Sequence, residues 1–86
     1  MVKLNSETFN KTISENDFVF VEFYIPTCGH CVRYAPEYEK VGTYFKNEDS
    51  KVIIAAVDSS DEREIADRYG VEAYPTFKVF IKGEAF

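Results

Sequence analysis

The sequence predicts an α/β domain built on a central mixed sheet that is flanked by helices. Two apolar runs, DFVFVEFYI at 17–25 and KVIIAAVD at 51–58, are nearly uninterrupted, which is typical of strands buried on both faces. Segments with helical spacing lie between the runs, and this alternation is typical of a largely parallel sheet. Because the chain has 86 residues, we expect residues 1–86 to form one small domain.

The elements are expected in the order β-α-β-α-β-α-β, followed by a turn. Phe9 and Ile13 lie four residues apart and mark the first helix, while Ile65, Ala66 and Tyr69 mark the third. The predicted strands are 2–5, 17–25, 51–58 and 74–81, and the predicted helices are 6–16, about 28–47 and a segment through 65–69.

Polar residues and a glycine set the expected helix ends. Asn5 or Ser6 can cap the first helix, because short polar side chains accept hydrogen bonds from unpaired backbone N–H groups. Ser59 and Glu62 form a capping-box pattern ahead of the third helix. Gly70 is the expected stop of that helix.

The long second helix is expected to pack against the sheet along one stripe of side chains. This stripe consists of Ala35, Tyr38, Val41 and Phe45. Pro36 lies inside the helix and should kink it, because proline has no backbone N–H to donate.

The C-terminal segment predicts an unfinished edge strand. Lys82 and Gly83 form a turn signal, and the three residues after them can only begin an antiparallel strand. We therefore expect a domain cut short at its C-terminus, a fragment of a longer protein, with a lower stability than a complete domain.

Charge and composition exclude several classes of partner. Fifteen acidic and ten basic residues give a net charge of −5, and the basic residues are dispersed, so neither nucleic acid nor an anionic membrane surface is expected. No apolar run approaches the roughly 20 residues that a membrane-spanning helix needs. Two cysteines are too few for a disulfide framework that stabilises a small secreted domain.

The two cysteines and the only histidine lie within four positions, in the sequence Cys28-Gly29-His30-Cys31. A strand precedes them and a helix follows, so Cys28 should lie in the first helical turn, with Thr27 as N-cap. Unpaired N–H groups and the helix dipole stabilise a thiolate there and lower its pKa. Cys31 should be more buried, with a higher pKa. This asymmetry favours thiol–disulfide exchange, in which Cys28 reacts first and Cys31 resolves the mixed disulfide.

His30 is expected to stabilise the Cys28 thiolate when its ring is protonated, which makes the disulfide form a stronger oxidant. An alternative for His30 is a solvated loop position without a part in the chemistry. A zinc site is disfavoured, because such sites need about four ligands and Cys28, His30 and Cys31 have a poor spacing for a tetrahedral one. No metal or bound cofactor is therefore expected.

Glu22 and Pro75 are two further candidates. Glu22 lies within the apolar strand before the cysteines, where burial should raise its pKa and let it exchange a proton with Cys31. The alternative for Glu22 is a carboxylate on the surface of an edge strand. Pro75 at a strand entrance indicates an irregular Tyr74–Pro75 peptide, which can be cis.

VEFYIPTCGHCVRYAPEYEKV and YGVEAYPTFKVF resemble the catalytic domains of protein disulfide isomerases, which are members of the thioredoxin superfamily. The resemblance covers essentially the whole chain and implies a thioredoxin-like fold whose last strand and helix are missing here. It also implies an enzyme that forms, reduces and rearranges disulfide bonds of cysteine-containing client proteins. Glutathione or a thiol oxidase would recycle it, and the domain would be monomeric in the endoplasmic reticulum lumen.

The same resemblance implies roles for individual residues. Cys28 would be the nucleophile, Cys31 the resolving thiol, Glu22 the buried proton shuttle, and His30 a neighbour that tunes the pair. Peptide substrates would contact residues around a cis-proline that faces the disulfide, namely Thr27, Gly29, Tyr74, Pro75 and Thr76.

Three residues depart from the family pattern. Thr27 stands where tryptophan is usual, and Ala56 stands where a lysine commonly pairs with the buried glutamate. Val32 stands where a basic residue is common. We therefore expect active chemistry with altered rates. The alternatives are a thioredoxin-like protein disulfide reductase and a client-binding module that does not turn over.

Overall fold

The computed structural model describes residues 2–48 and 51–86. Its elements follow the predicted order, and two residues beyond the final turn add a short fifth strand. The strands are β1 (Val2–Leu4), β2 (Phe18–Tyr24), β3 (Val52–Asp58), β4 (Thr76–Ile81) and β5 (Glu84–Ala85). The helices are α1 (Phe9–Glu15), α2 (Gly29–Asn47) and α3 (Arg63–Arg68).

The strands form one mixed sheet in the order β1-β3-β2-β4-β5. β1, β3 and β2 run parallel, whereas β4 is antiparallel to β2 and β5 is antiparallel to β4. The central strand β2 carries Glu22, which is aligned with Ala56 on one side and with Phe77 on the other. This confirms the predicted α/β class with a mixed sheet.

Buried side chains form one group on each face of the sheet. Val21 and Phe23 of β2 pack with Phe9 of α1 and Ile65 of α3. Because side chains alternate between the faces of a strand, Glu22 lies on the other face, which α2 covers. Each fully buried aromatic or aliphatic side chain in such a core contributes about 1.5–3 kcal/mol to stability.

Tyr38 fastens α2 to the sheet. Its hydroxyl donates to the backbone oxygen of Ala55 at 2.6 Å and lies 3.1 Å from that of Phe20. The ring packs on Ile54 and Ala56. These contacts hold α2 against β2 and β3, next to Glu22.

The predicted inward stripe of α2 is wrong at two positions. Ala35 and Val41 are exposed, Phe45 is half-buried, and the buried residues of α2 are Cys31, Tyr38 and Gly42. Val41 points away because it precedes the buried Gly42 by one residue, a rotation of about 100° around the helix. Ala35 is open because it borders a cavity between α2 and the sheet. The helix continues through Pro36 to Asn47.

The first helix begins later than the sequence predicts. The Asn5 Oδ1 accepts from the backbone N–H groups of Glu7 and Thr8 at 2.9 and 3.1 Å, but these two bonds close the turn before the helix. The α-helix itself starts at Phe9, and its N-cap is Thr8 in place of the predicted Asn5 or Ser6.

The capping box predicted for the third helix is wrong. Ser59 is fully buried, and its hydroxyl has no hydrogen-bond partner within residues 2–48 and 51–86. Asp58 organises the turn instead, because its Oδ1 accepts from Ser60 N at 3.0 Å and its backbone oxygen accepts from Glu62 N at 2.9 Å. Gly70 follows the helix with a φ of +68°, as expected for a stop residue.

Lys82 and Gly83 form the predicted turn after β4. Both have positive φ, 52° and 86°, which suits a tight hairpin between antiparallel strands. In the described part of the chain no helix is both long and apolar enough to cross a membrane.

Candidate active site

Cys28 occupies the N-cap of α2, one residue later than the predicted cap Thr27, which is exposed. The Cys28 sulfur accepts a hydrogen bond from the backbone N–H of Cys31 at 3.2 Å. It thereby takes the place of the oxygen that serine or threonine would offer to this unpaired donor. Both thiols are free, with Cys28 half-buried and Cys31 buried.

The environment of Cys28 favours its thiolate. The hydrogen bond from the Cys31 side chain lowers the pKa of the Cys28 thiol, and the backbone N–H groups of Cys31 and His30 lower it further. Partial burial and the Glu22 carboxylate act in the opposite direction without overcoming these bonds. Cys28 is therefore the more acidic and more reactive of the two thiols.

The environment of Cys31 favours its protonated form. The residue is only 4% exposed. Burial first, and then the neighbouring Cys28, raise the pKa of Cys31 to about 11, although the backbone of Ile25 lowers it in part. Near neutral pH a thiol of this kind keeps its proton, so it needs a base before it can react.

The loop before β4 lies beside Cys28. The Tyr74–Pro75 peptide bond is cis, and the carbonyl oxygen of Tyr74 accepts from the Cys28 thiol at 3.6 Å. Tyr74, Pro75 and Thr76 are all half-buried, and the Thr76 hydroxyl donates to the backbone oxygen of Ala73. The fold thus brings two segments 46 residues apart to the same thiol.

Gly29 and His30 lie at the exposed start of α2. Gly29 faces open space, because a side chain at this position would meet no atom of another residue within 4 Å. The His30 ring is directed at Arg33, whose guanidinium donates to Nδ1 at 3.0 Å. The backbone N–H of His30 helps to stabilise the Cys28 thiolate.

Glu22 is buried on the α2 side of the sheet, with 4% of its surface exposed. Burial raises the pKa of its carboxyl group, and Oε2 has no hydrogen-bond partner among the described residues. Glu22 and Cys31 line the same cavity of about 270 Å³. The structure thus brings the buried carboxyl group and the buried thiol to one space, as the predicted proton exchange requires.

Sequence reasoning missed three residues that line this cavity, namely Lys3, Tyr24 and Glu39. Two of them follow from spacing: Tyr24 is two residues after Glu22 on the same face of β2, and Glu39 is two helical turns after Cys31. No local spacing indicates Lys3, because its place beside Glu22 depends on the order of the strands in the sheet.

Residues 2–48 and 51–86 contain no group of three or more histidine, cysteine, aspartate or glutamate side chains that could hold a metal ion.

Comparison with known proteins gives consistent matches over the whole chain. The family model described as Thioredoxin matches residues 1–86. A probable protein disulfide-isomerase A4 from Caenorhabditis elegans is 45% identical over 86 residues, which are 100% of this chain and 14% of the relative. The chain therefore spans about one seventh of that relative's length.

Two solved structures show the same fold. The first thioredoxin domain of mouse protein disulfide-isomerase A4 is 38% identical with a TM-score of 0.88, covering 98% of this chain and 60% of that one. A thioredoxin from Plasmodium falciparum is 29% identical with a TM-score of 0.90, covering 100% of this chain and 81% of that one.

Proposed function

Since the chain belongs to the thioredoxin family and resembles protein disulfide isomerase domains, we propose that it is a thiol–disulfide oxidoreductase and isomerase of protein substrates. The observation that carries the proposal is the asymmetry of the two thiols. Cys28 is accessible with a lowered pKa, whereas Cys31 is buried with a pKa raised to about 11. One thiol can attack and the other can be held back until it is needed.

Oxidation of a client proceeds through a mixed disulfide. A client thiolate attacks the Cys28 sulfur, the Cys28–Cys31 bond breaks, and Cys31 leaves as a thiolate that takes up a proton. A second client thiolate then attacks the client sulfur of the mixed disulfide and releases Cys28 as a thiolate. The client loses two electrons, both cysteines become reduced, and glutathione disulfide or a thiol oxidase restores their bond.

Isomerisation starts from the reduced pair. The Cys28 thiolate attacks a client disulfide, which frees one client thiolate. That thiolate breaks another bond in the client, and the last client thiolate displaces Cys28. No electrons are gained or lost overall. Cys31 provides an exit, because it can displace a client that remains attached.

Glu22 exchanges the proton of Cys31 in this scheme. Because burial raises the pKa of Glu22, the carboxyl group keeps a proton to a higher pH than an exposed glutamate and can give it to the leaving Cys31 thiolate. In the reverse direction the carboxylate accepts that proton. The shared cavity supports transfer either directly or through a water molecule.

Client peptides would lie across the open surface beside Cys28. The proposed peptide contacts are Thr27, Gly29, Tyr74, Pro75 and Thr76, which either adjoin Cys28 in the chain or belong to the segment whose Tyr74 oxygen accepts from Cys28. Monomeric action on cysteine-containing clients in the endoplasmic reticulum is part of the proposal, supported by the resemblance alone.

Trapping of mixed disulfides tests the proposal. Cys31→Ala is incubated with a client whose disulfides are scrambled, with Cys28→Ala as the matched control. Covalent client adducts should accumulate on Cys28 in the first variant and be absent in the second, as read on non-reducing gels and by mass spectrometry. Equal client binding by both variants without adducts would contradict exchange and favour the client-binding module.

A further inference from the structure

Lys3 lies in one row with Glu22 across three neighbouring strands. Lys3 of β1 is aligned with Ala56 of β3, and Ala56 is aligned with Glu22 of β2. Aligned residues of neighbouring strands share a face of the sheet, and Leu4 packs in the core of the opposite face. At about 4.8 Å between strands, the Cα atoms of Lys3 and Glu22 are about 10 Å apart.

The residue between them in this row, Ala56, has a single methyl group as its side chain and is covered by the Tyr38 ring. Lys3 and Glu22 both line the cavity beside it, together with Cys31. The long stem of Lys3 can extend along this cavity towards the carboxyl group.

Glu22 needs a cation once it is ionised. Its buried Oε2 has no hydrogen-bond partner within the described residues, and a buried carboxylate is strongly destabilised without a compensating charge. Of the other residues that line this cavity, Glu39 is exposed and acidic and Tyr24 carries an uncharged phenol. Lys3 is the cation among the lining residues.

Other acids compete for Lys3 less effectively. Asp58, Asp61 and Glu62 line a second cavity of about 260 Å³ that Lys3 also borders. Asp58 Oδ1 already accepts from the backbone N–H and the hydroxyl of Ser60. Asp61 is exposed and Glu62 is half-buried, and ion pairs near the surface contribute little, so the buried Glu22 gains most from the ammonium group.

We propose that Lys3 is a positioning residue for the exchange reaction: its ammonium group stabilises the Glu22 carboxylate that remains after Glu22 has given its proton to Cys31. This inference rests on the proposed function, in which Glu22 gives and takes that proton. It assigns a part in the chemistry to the first strand, whose three residues contain none of the predicted site residues.

Titration of the Glu22 carboxyl carbon tests the pairing. The oxidised protein is labelled with ¹³C at glutamate, so that neither thiol titrates, and the Glu22 signal is assigned with Glu22→Gln. Lys3→Met should raise the pKa of Glu22 by about 0.5 pH unit or more, because it removes a nearby positive charge. Lys3→Arg should restore most of the difference.

Lys51→Met is the matched control, because it removes the same charge just before β3, five residues from Ala56. It should shift the Glu22 titration by less than about 0.2 pH unit, since distant exposed charges are screened. Equal shifts in Lys3→Met and Lys51→Met would overturn the pairing. Because the titration follows the carbon itself, its result does not depend on whether the chain exchanges disulfides, which mixed-disulfide trapping decides separately.

The pH dependence of the exchange rate tests the part in the reaction. In Lys3→Met, the part of the pH–rate profile that reflects ionisation of Glu22 should move to higher pH. The shift should equal the change in the Glu22 pKa that the carbon titration gives. In a Glu22→Gln background, Lys3→Met should leave the profile unchanged. A profile that stays in place while the carbon titration moves would overturn the role of Lys3 in the reaction.

Discussion

Cys28 and Cys31 are chemically identical side chains three residues apart, and their surroundings separate their acidities. Cys28 Sγ accepts a backbone N–H at the start of α2, whereas Cys31 is buried against the sheet. The order of their reactions follows from this difference, because the thiolate is the attacking species. The spacing in the sequence suggested the asymmetry, and the hydrogen bonds of the structure supply its cause.

Selective alkylation measures the asymmetry. Reduced protein treated briefly with iodoacetamide at pH 7 should be modified at Cys28 at least about ten times faster than at Cys31, because Cys28 has the lowered pKa and Cys31 is buried. Peptide mass spectrometry locates the label. Equal labelling of both cysteines in the folded protein, with the same result after denaturation, would contradict the account.

Glu22→Gln should stabilise the protein at neutral and higher pH. The pKa of Glu22 is raised by burial, so its contribution to stability is fully present below the ordinary value of 4.5 and is lost as the pH rises through the folded-state pKa. Glutamine does not ionise, so the variant escapes this loss. Its free energy of unfolding should exceed that of the parent by about 1 kcal/mol or more at pH 8, with little difference at pH 4.

Urea unfolding of the oxidised protein at several pH values checks this difference. Glu39→Gln serves as the control, because Glu39 lines the same cavity but is exposed. A difference between Glu22→Gln and the parent that is constant from pH 4 to pH 8 would rule out ionisation of Glu22 as its cause.

At the scale of elements, the sequence predicted which segments are strands and helices better than which side chains they bury. Apolar runs and helical spacing located every element in order. The prediction that Val41 faces inward was wrong, because helical periodicity gives the spacing of the buried residues but not which of two adjacent residues is the buried one. The capping box at Ser59 failed because Asp58, one residue earlier, already closes the turn.

Tyr38→Phe tests how α2 is attached to the sheet. The substitution removes the hydroxyl that bonds to the backbone oxygen of Ala55 and leaves the ring in place. We expect a loss of about 1–2 kcal/mol in the free energy of unfolding, because a buried carbonyl loses its donor. Chemical denaturation should show no comparable loss for Tyr44→Phe, whose side chain is exposed. Equal effects of the two variants would contradict the proposed attachment.

At the scale of the whole molecule, the strand order β1-β3-β2-β4-β5 creates the site. It places Glu22 in the central strand, brings the Tyr74–Pro75 loop to Cys28 from the antiparallel side, and brings Lys3 to the cavity from the parallel side. Local spacing could indicate Glu22 and Pro75 as candidates. It could not indicate Lys3, because strand neighbours depend on long-range pairing.

The central claim is that Cys28 and Cys31 form a reversible disulfide that exchanges with protein thiols. The most direct test is to equilibrate the protein with defined ratios of reduced and oxidised glutathione, trap the thiols, and measure the oxidised fraction by mass. The account predicts half-oxidation at a potential of about −180 to −210 mV, in the range of an oxidase or isomerase. A value near −270 mV would favour the reductase alternative. Failure of the bond to form at any ratio would contradict the central claim.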